Sequence, residues 1–303
     1  MIQVVSNNDV SLSQRTRDRE IMNAKEPRLF RRAIALPSLS WETSPARKPD
    51  LSSQVHYGAY GAGVNIYVLD TGVEDSHEVF KKANLHPLGF LPNAPSTRDG
   101  HGHGTWVCGR LVELASKANI YSVKCLDDSG SGLLEFTNYA LSRLIGEKEA
   151  IPHVVIVPIR DTECNARTAK LIWQLYLRGV TVIVSGDGNY LANYDGVLAV
   201  STTNKFLPLL LPSSEYSLHL ALNNYESVGS YLNNTYRRLS GTSSLLATVA
   251  GILALGLSYS SRYKLTLDRF NILTEVIRGG AFDERSFLAA VAERYNPSRD
   301  TIA

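Results

Sequence analysis

The sequence predicts an α/β fold in three layers, a doubly wound and mostly parallel sheet with helices on both faces. Short β-branched runs recur at Val64–Leu69, Ile120–Cys125, Val154–Val157 and Val180–Val184, and each has the length and composition of a strand buried on both sides. Segments of helical length stand between such runs at Leu134–Ile145 and Asn165–Leu177, as crossovers in a parallel sheet require. After Gly241, the apolar residues Leu245, Leu246, Val249, Ile252 and Leu253 recur as in a buried helix. The order of the strands within the sheet is not legible.

Along the chain, residues 1 to about 50 are polar, charged and proline-punctuated, with no sustained period of 2 or 3.6. Residues 1–40 read as an N-terminal extension with a regulatory role, and residues 14–32, which concentrate Arg15, Arg17, Arg19, Arg28, Arg31 and Arg32, read as a solvated or disordered arm. The folded domain is expected over 41–280, starting between Trp41 and Gly61. Amphipathic helices are expected at Thr266–Arg278 and Asp283–Arg294, with Asp283 as N-cap of the second; residues 281–303 read as a C-terminal helix and tail. No internal repeat or low-complexity tract is present.

Composition narrows the function classes. With 303 residues, 44% hydrophobic, 20% charged and a net charge of +2, the chain can bury a full core, and nothing marks it as a nucleic-acid binder. The first twenty residues lack the apolar core of a secretory signal, and the run Leu245–Leu257 is too short to span a bilayer. A cytoplasmic protein with no membrane span and no nucleic-acid partner is the expectation. Cys108, Cys125 and Cys164 are an odd set at no metal-ligand spacing, which fits reduced thiols. On the same reading, the sequon at Asn233-Asn234-Thr235 stays unmodified. No cofactor and no metal site is expected, and the oligomeric state leaves no sequence signal.

Three motifs carry chemistry. Asp70 follows an apolar strand and precedes Thr71-Gly72, a pattern that also suits a plain turn. His103 sits in Asp99-Gly100-His101-Gly102-His103-Gly104-Thr105, where flanking glycines let the backbone approach a ligand; a structural or metal-binding histidine is the alternative. Ser243, in Ser240-Gly241-Thr242-Ser243, opens a buried helix and could be only an N-cap. Together these supply a nucleophile, a base and an acid to fix the tautomer of the base.

In this order, Asp then His then Ser, the motifs resemble the subtilase family, and most nearly its proteinase K-like branch. The aspartate motif with its tail Gly72-Val73-Glu74-Asp75-Ser76-His77 carries the resemblance, as do the His103 motif and Cys125-Leu126-Asp127-Asp128-Ser129-Gly130-Ser131-Gly132. It covers roughly residues 41 to 280. The resemblance implies a subtilisin-like fold and a serine endopeptidase in which Ser243 attacks, His103 is general base and Asp70 orients it. It also implies that Ser129, Gly130, Ser131 and Gly132 pair with an extended polypeptide substrate as an added strand.

Departures from the family pattern cluster around the cleft. The family's oxyanion asparagine falls in Val184-Ser185-Gly186-Asp187-Gly188-Asn189. One register gives Asn189, the preferred donor; the rival gives Asp187, which cannot donate when ionised. The cleft segment that usually reads Ser-Leu-Gly-Gly is here Pro158-Ile159-Arg160-Asp161, so Pro158 and Arg160 are expected to contact substrate, Arg160 either selecting an acidic residue or lying in solvent.

About 50 residues are too few for the long folding prodomain of most relatives, so residues 26–40 are expected to occupy the cleft until they are removed. The overall expectation is an intracellular endopeptidase. It would act by general turnover or by limited proteolysis of a partner, such as a gasdermin-like pore-former in fungal cell death. The competing class is a pseudoprotease that grips a peptide without cutting it. A lipase-like hydrolase would need a Gly-x-Ser-x-Gly elbow and the chain order Ser, Asp, His, and Ser243 has neither.

Overall fold

The computed structural model describes residues 33–36, 40–41, 46–47, 60–89, 96–203, 209–223, 226–263 and 272–273. Within them the strands are β1 (Ala33–Ala35), β2 (Ser40–Trp41), β3 (Asn65–Asp70), β4 (Asn84–Gly89), β5 (Asn119–Lys124), β6 (Ser131–Leu133), β7 (Val154–Val157), β8 (Thr181–Ser185), β9 (Val197–Thr203), β10 (Leu209–Pro212), β11 (Leu218–Asn223), β12 (Glu226–Tyr231) and β13 (Thr235–Ser240). The α-helices are α1 (His103–Leu114), α2 (Leu134–Gly146), α3 (Ala166–Leu177) and α4 (Thr242–Tyr263).

Eight strands form one sheet in the order β10-β11-β9-β8-β7-β3-β5-β4. Every pairing in it is parallel except β10 with β11. Alternation along the central strands explains why both faces are covered. In β3, Ile66 and Val68 join an apolar cluster with Trp106 and Leu111 of α1 and Leu246, Val249 and Leu253 of α4. Tyr67 and Leu69 join a second cluster with Leu141 and Leu144 of α2 and Ile172 and Leu175 of α3. The result is the expected three-layer, doubly wound architecture, with α1 and α4 on one face and α2 and α3 on the other.

The chain runs from β3 to β5 on one side and returns through α2 to β7 on the other side of β3. The winding direction therefore reverses at β3, and its carboxyl end, Asp70, lies at the crevice where such sheets place their sites. All four strands expected from sequence occur, each within a residue or so of its expected ends, and Asn165 caps α3 by accepting from Thr168 N–H.

Helix α4 is long and apolar enough to cross a membrane by composition, but 89% of that stretch is buried inside the fold. It is the central core helix of one face. Ile272 and Leu273 are helical and fully buried; an added Cβ at Gly256 of α4 would lie 2.7 Å from Ile272. The remainder of the helices expected at 266–278 and 283–294, and the arginine-rich stretch 14–32, lie outside the described residues.

Strand β1 lies N-terminal to the expected domain start between Trp41 and Gly61. Strand β1 pairs antiparallel with β6, Ile34 opposite Gly132 and Ala35 opposite Ser131, and Leu36 N–H donates to Gly130 O at 2.9 Å. Strand β2 adds to the β12–β13 hairpin, with Trp41 opposite Leu239. Asn233 and Asn234, the first two residues of the sequon, turn that hairpin with positive φ of 58° and 56°, a conformation asparagine tolerates better than most residues.

Candidate active site

Asp70 ends a strand buried on both faces and is itself fully buried. Its carboxylate faces His103, the first residue of α1, with Nδ1 2.9 Å from Oδ1 and 2.8 Å from Oδ2. Asp70 Oδ1 also accepts from Thr71 N–H at 2.7 Å. Nδ1 thus donates to the carboxylate, and Nε2 is left to accept. Nε2 is buried and has no hydrogen-bond partner, and the same is true of Ser243 Oγ. Ser243 lies in the first turn of α4, on the same face of the sheet as α1. Two complementary polar atoms left unsatisfied in a buried site mark a place built for a ligand.

The start of α1 is held by a residue whose role its sequence context did not reveal. Gly102, the N-cap, offers no side-chain bond, and Asp99 takes over. Its Oδ1 accepts from His101 N–H at 2.9 Å, Gly102 N–H at 2.8 Å and the Thr71 hydroxyl at 2.9 Å. Its Oδ2 accepts from Thr105 N–H and hydroxyl. Thr71 Oγ1 in turn accepts from Gly104 N–H at 3.0 Å, so the residue after Asp70 is tied to the residue after His103. The flanking glycines serve close approach to protein: a Cβ at Gly102 would lie 2.1 Å from the Tyr231 ring, and one at Gly104 2.1 Å from Gly72 O.

The loop after β5 forms the neighbouring wall. Asp127 Oδ1 accepts from Ser129 N–H and hydroxyl and from Ser131 N–H. Burial opposes ionisation there, but these bonds outweigh it and hold the carboxyl below its usual range. Lys124, buried, donates to Thr71 O at 2.7 Å and to Asp128 Oδ1 at 2.8 Å, which lowers Asp128 as well. Ser129 is exposed, while Gly130, Ser131 and Gly132 are the residues against which residues 33–36 lie. Ile34 is 3% exposed and packs into the second apolar cluster. His101 stands between His103 and Gly130; burial, then the neighbouring His103, lowers its pKa.

On the other side, the loops after β7 and β8 are fastened together, and the two candidates for oxyanion donor fall in different surroundings. Asn189 Nδ2 donates to Ile159 O at 2.9 Å, while its Oδ1 accepts from Asp161 N–H at 2.9 Å and Leu191 N–H at 3.3 Å. Its side chain is committed to holding the 159–161 segment and capping a turn of 3-10 helix at Tyr190–Asn193. The rival, Asp187, is tied instead to the residue that precedes Ser243. Its Oδ2 accepts from the hydroxyl of Thr242, the neighbour of Ser243, and from Thr202 N–H and hydroxyl. Gly188, between the two candidates, takes a positive φ of 58°. Pro158 is buried at the end of β7; Arg160 is exposed and donates from Nε to Gly188 O at 3.1 Å.

A parallel three-layer sheet with a buried Asp–His pair at its switch point and a free serine at a helix start defines a hydrolase-type fold of the serine class. The chain belongs to the subtilase family, whose model matches residues 61–267. It is 30% identical over 235 residues to M-protease of Shouchella clausii, covering 72% of this chain and 59% of that protein. With Subtilisin Savinase of Lederbergia lenta the identity is again 30% over 235 residues, 72% of this chain and 84% of that protein. Subtilisin-like protease 1 of Pseudogymnoascus destructans is 30% identical over 149 residues, 47% of this chain and 37% of that protein. The chain thus spans 59% of the length of M-protease and 84% of that of Savinase.

Proposed function

We propose that the chain is a serine endopeptidase acting through Asp70, His103 and Ser243. The observation that carries this reading is the pair of buried, unpartnered atoms His103 Nε2 and Ser243 Oγ, with Nδ1 already fixed by Asp70. On a peptide, Oγ bonds to the scissile carbonyl carbon as Nε2 takes its proton; Asp70 stabilises the imidazolium. The C–N bond then breaks, the amine leaves with the proton from Nε2, and water releases the acyl group by the same route. Gly130, Ser131 and Gly132 offer substrate an edge, with Pro158 and Arg160 on the opposite wall. Residues 33–36 already use that edge, which supports the reading that an extended, aliphatic peptide is the ligand and that this segment restrains the site until it leaves.

The finer reading is an intracellular, cytoplasmic enzyme of the proteinase K-like branch that activates a protein partner by limited cleavage, with a gasdermin-like pore-former in fungal cell death as the proposed target. The three cysteines, all free, and likeness to a Pseudogymnoascus protease support it. The test is fluorophosphonate labelling of wild type and Ser243→Ala, followed by digestion of a denatured protein. Labelling and digestion that both vanish in the variant support the endopeptidase. A chain shortened to begin at Ser40, shown folded, that still takes no label is instead a peptide-binding pseudoprotease.

A further inference from the structure

The Asp187 carboxylate accepts from the hydroxyl of Thr242, the residue before Ser243, and the Asp–His–Ser mechanism does not use it. It is built into place. Gly186, which precedes it, is wedged where a Cβ would lie 2.2 Å from Ser201 Oγ and 2.8 Å from His219 Nε2, so the chain leaves β8 by a closely packed path. Asp187 Oδ2 then gathers three hydrogen bonds, from Thr202 N–H, the Thr202 hydroxyl and the Thr242 hydroxyl. Thr242 is bonded directly to Ser243, so the carboxylate is anchored one residue from the nucleophile, and Asp187 itself is exposed at the mouth.

We propose that Asp187 is an electrostatic brake on acyl transfer, set beside Ser243 where the reaction builds negative charge and holding the Thr242 hydroxyl away from that charge. The proposal rests on the endopeptidase reading. When Ser243 attacks, the carbonyl oxygen becomes an oxyanion, and catalysis is favoured by donors aimed at it. A carboxylate only accepts and repels a second anion. The Thr242 proton, which could serve the oxyanion, is spent on Asp187. The charged or titratable groups around the carboxylate are Arg160, whose Nε is bound to Gly188 O, and His219, whose Nε2 is bound to Ser201 Oγ. Among the described residues, neither forms an ion pair with Asp187. Such a brake suits a protease that must stay slow between triggers, because it limits turnover without blocking the cleft.

An amide of the same shape releases the brake. Asp187→Asn keeps an acceptor for Thr242 and Thr202, removes the charge, and adds an N–H that can point at the oxyanion. Loss of one such donor costs about 10²–10³ in kcat elsewhere, so its gain is expected to raise kcat at least about tenfold, with KM within about twofold. Asp187→Ala removes the charge without adding a donor and is expected to fall between wild type and Asp187→Asn. Asp187→Glu keeps the charge and stays slow. The experiment measures kcat and KM on one peptide substrate for all four proteins, with end-point fluorophosphonate labelling of each. Wild type that labels fully, with Asp187→Asn equal to it or slower, overturns the brake but leaves the endopeptidase reading standing. Failure of every protein to label, each also tested in a form shortened to begin at Ser40 and shown folded by circular dichroism, overturns both. A ranking of Asn, Ala, then Asp with Glu, confined to kcat, is the supporting result; a merely structural Asp187 would make every substitution slower.

Discussion

Asp99 Oδ2 accepts two hydrogen bonds from one residue, the backbone N–H and the hydroxyl of Thr105, at 2.9 and 2.7 Å. With the three bonds at Oδ1, this buried carboxylate fastens the first turn of α1, and so His103, to the residue that follows Asp70. Asp99→Ala leaves these donors without an acceptor. We expect a loss of at least about 3 kcal/mol of stability, read by urea unfolding, together with a fall in kcat because His103 is no longer held. Stability equal to wild type would show that the turn is kept by other contacts.

Asp70 tests the tautomer. With Nδ1 2.8 Å from Oδ2, the imidazole must present Nε2 as acceptor toward Ser243. Asp70→Asn preserves shape but can donate to Nδ1 and favour the opposite tautomer. A kcat lower by about 10⁴ is expected, with folding little changed. Retention of more than a tenth of wild-type turnover would remove Asp70 from the proposed mechanism.

Strand β1 tests restraint of the cleft. Ile34, opposite Gly132 and 3% exposed, is the anchor of the segment. Ile34→Asp places an unpaired charge in an apolar site and should drive the strand off its edge. Because a tethered occupant competes at high effective concentration, its release is expected to lower KM for a peptide about tenfold or more. A chain shortened to begin at Ser40, which keeps β2, should behave alike. An unchanged KM in both would mean that the segment does not compete with substrate.

Three histidines bear on stability between pH 7 and pH 5. Burial lowers the pKa of His101, with His103 adding to the effect, and burial likewise lowers His153 and His219, the last partly offset by Asp187. Their unfolded value is about 6.5. Below it the unfolded chain takes up protons that the native chain refuses, so stability is full above that pH and falls as pH drops. The melting temperature is therefore expected to decline from pH 7 toward pH 5, and less steeply in a His153→Asn, His219→Asn double variant. Equal slopes would assign the decline to other groups.

Much of this was legible in the chain itself. Strands β3, β5, β7 and β8 announce themselves because burial on both faces demands an unbroken β-branched run. Strand β4, Asn-Leu-His-Pro-Leu-Gly, sits at the sheet edge with partly exposed residues and has no such run, so it left no signal. Strand β11 lies inside the sheet, but its run Leu218-His219-Leu220-Ala221-Leu222 contains no β-branched residue, so it too left no signal. Asp70, His103 and Ser243 stand out because glycines and apolar runs frame them. Asp99 did not, because an Asp-Gly pair before a helix is common wherever a chain turns.

The sequence alone determined the local elements and the Asp, His, Ser order, since side-chain period and capping act over a few residues. Tertiary structure decided that β3 is the switch point, that residues 33–36 lie along the β6 edge, and that Asp187 rather than Asn189 stands beside Thr242. Those outcomes depend on hydrogen bonds between residues far apart in the chain: Asp187 reaches Thr242 across 55 positions, and Asn189 reaches Ile159 across 30. Local propensity cannot choose between two such partners, because the choice is made when packing of the β7 and β8 loops leaves one amide satisfied and ties one carboxylate to Thr242.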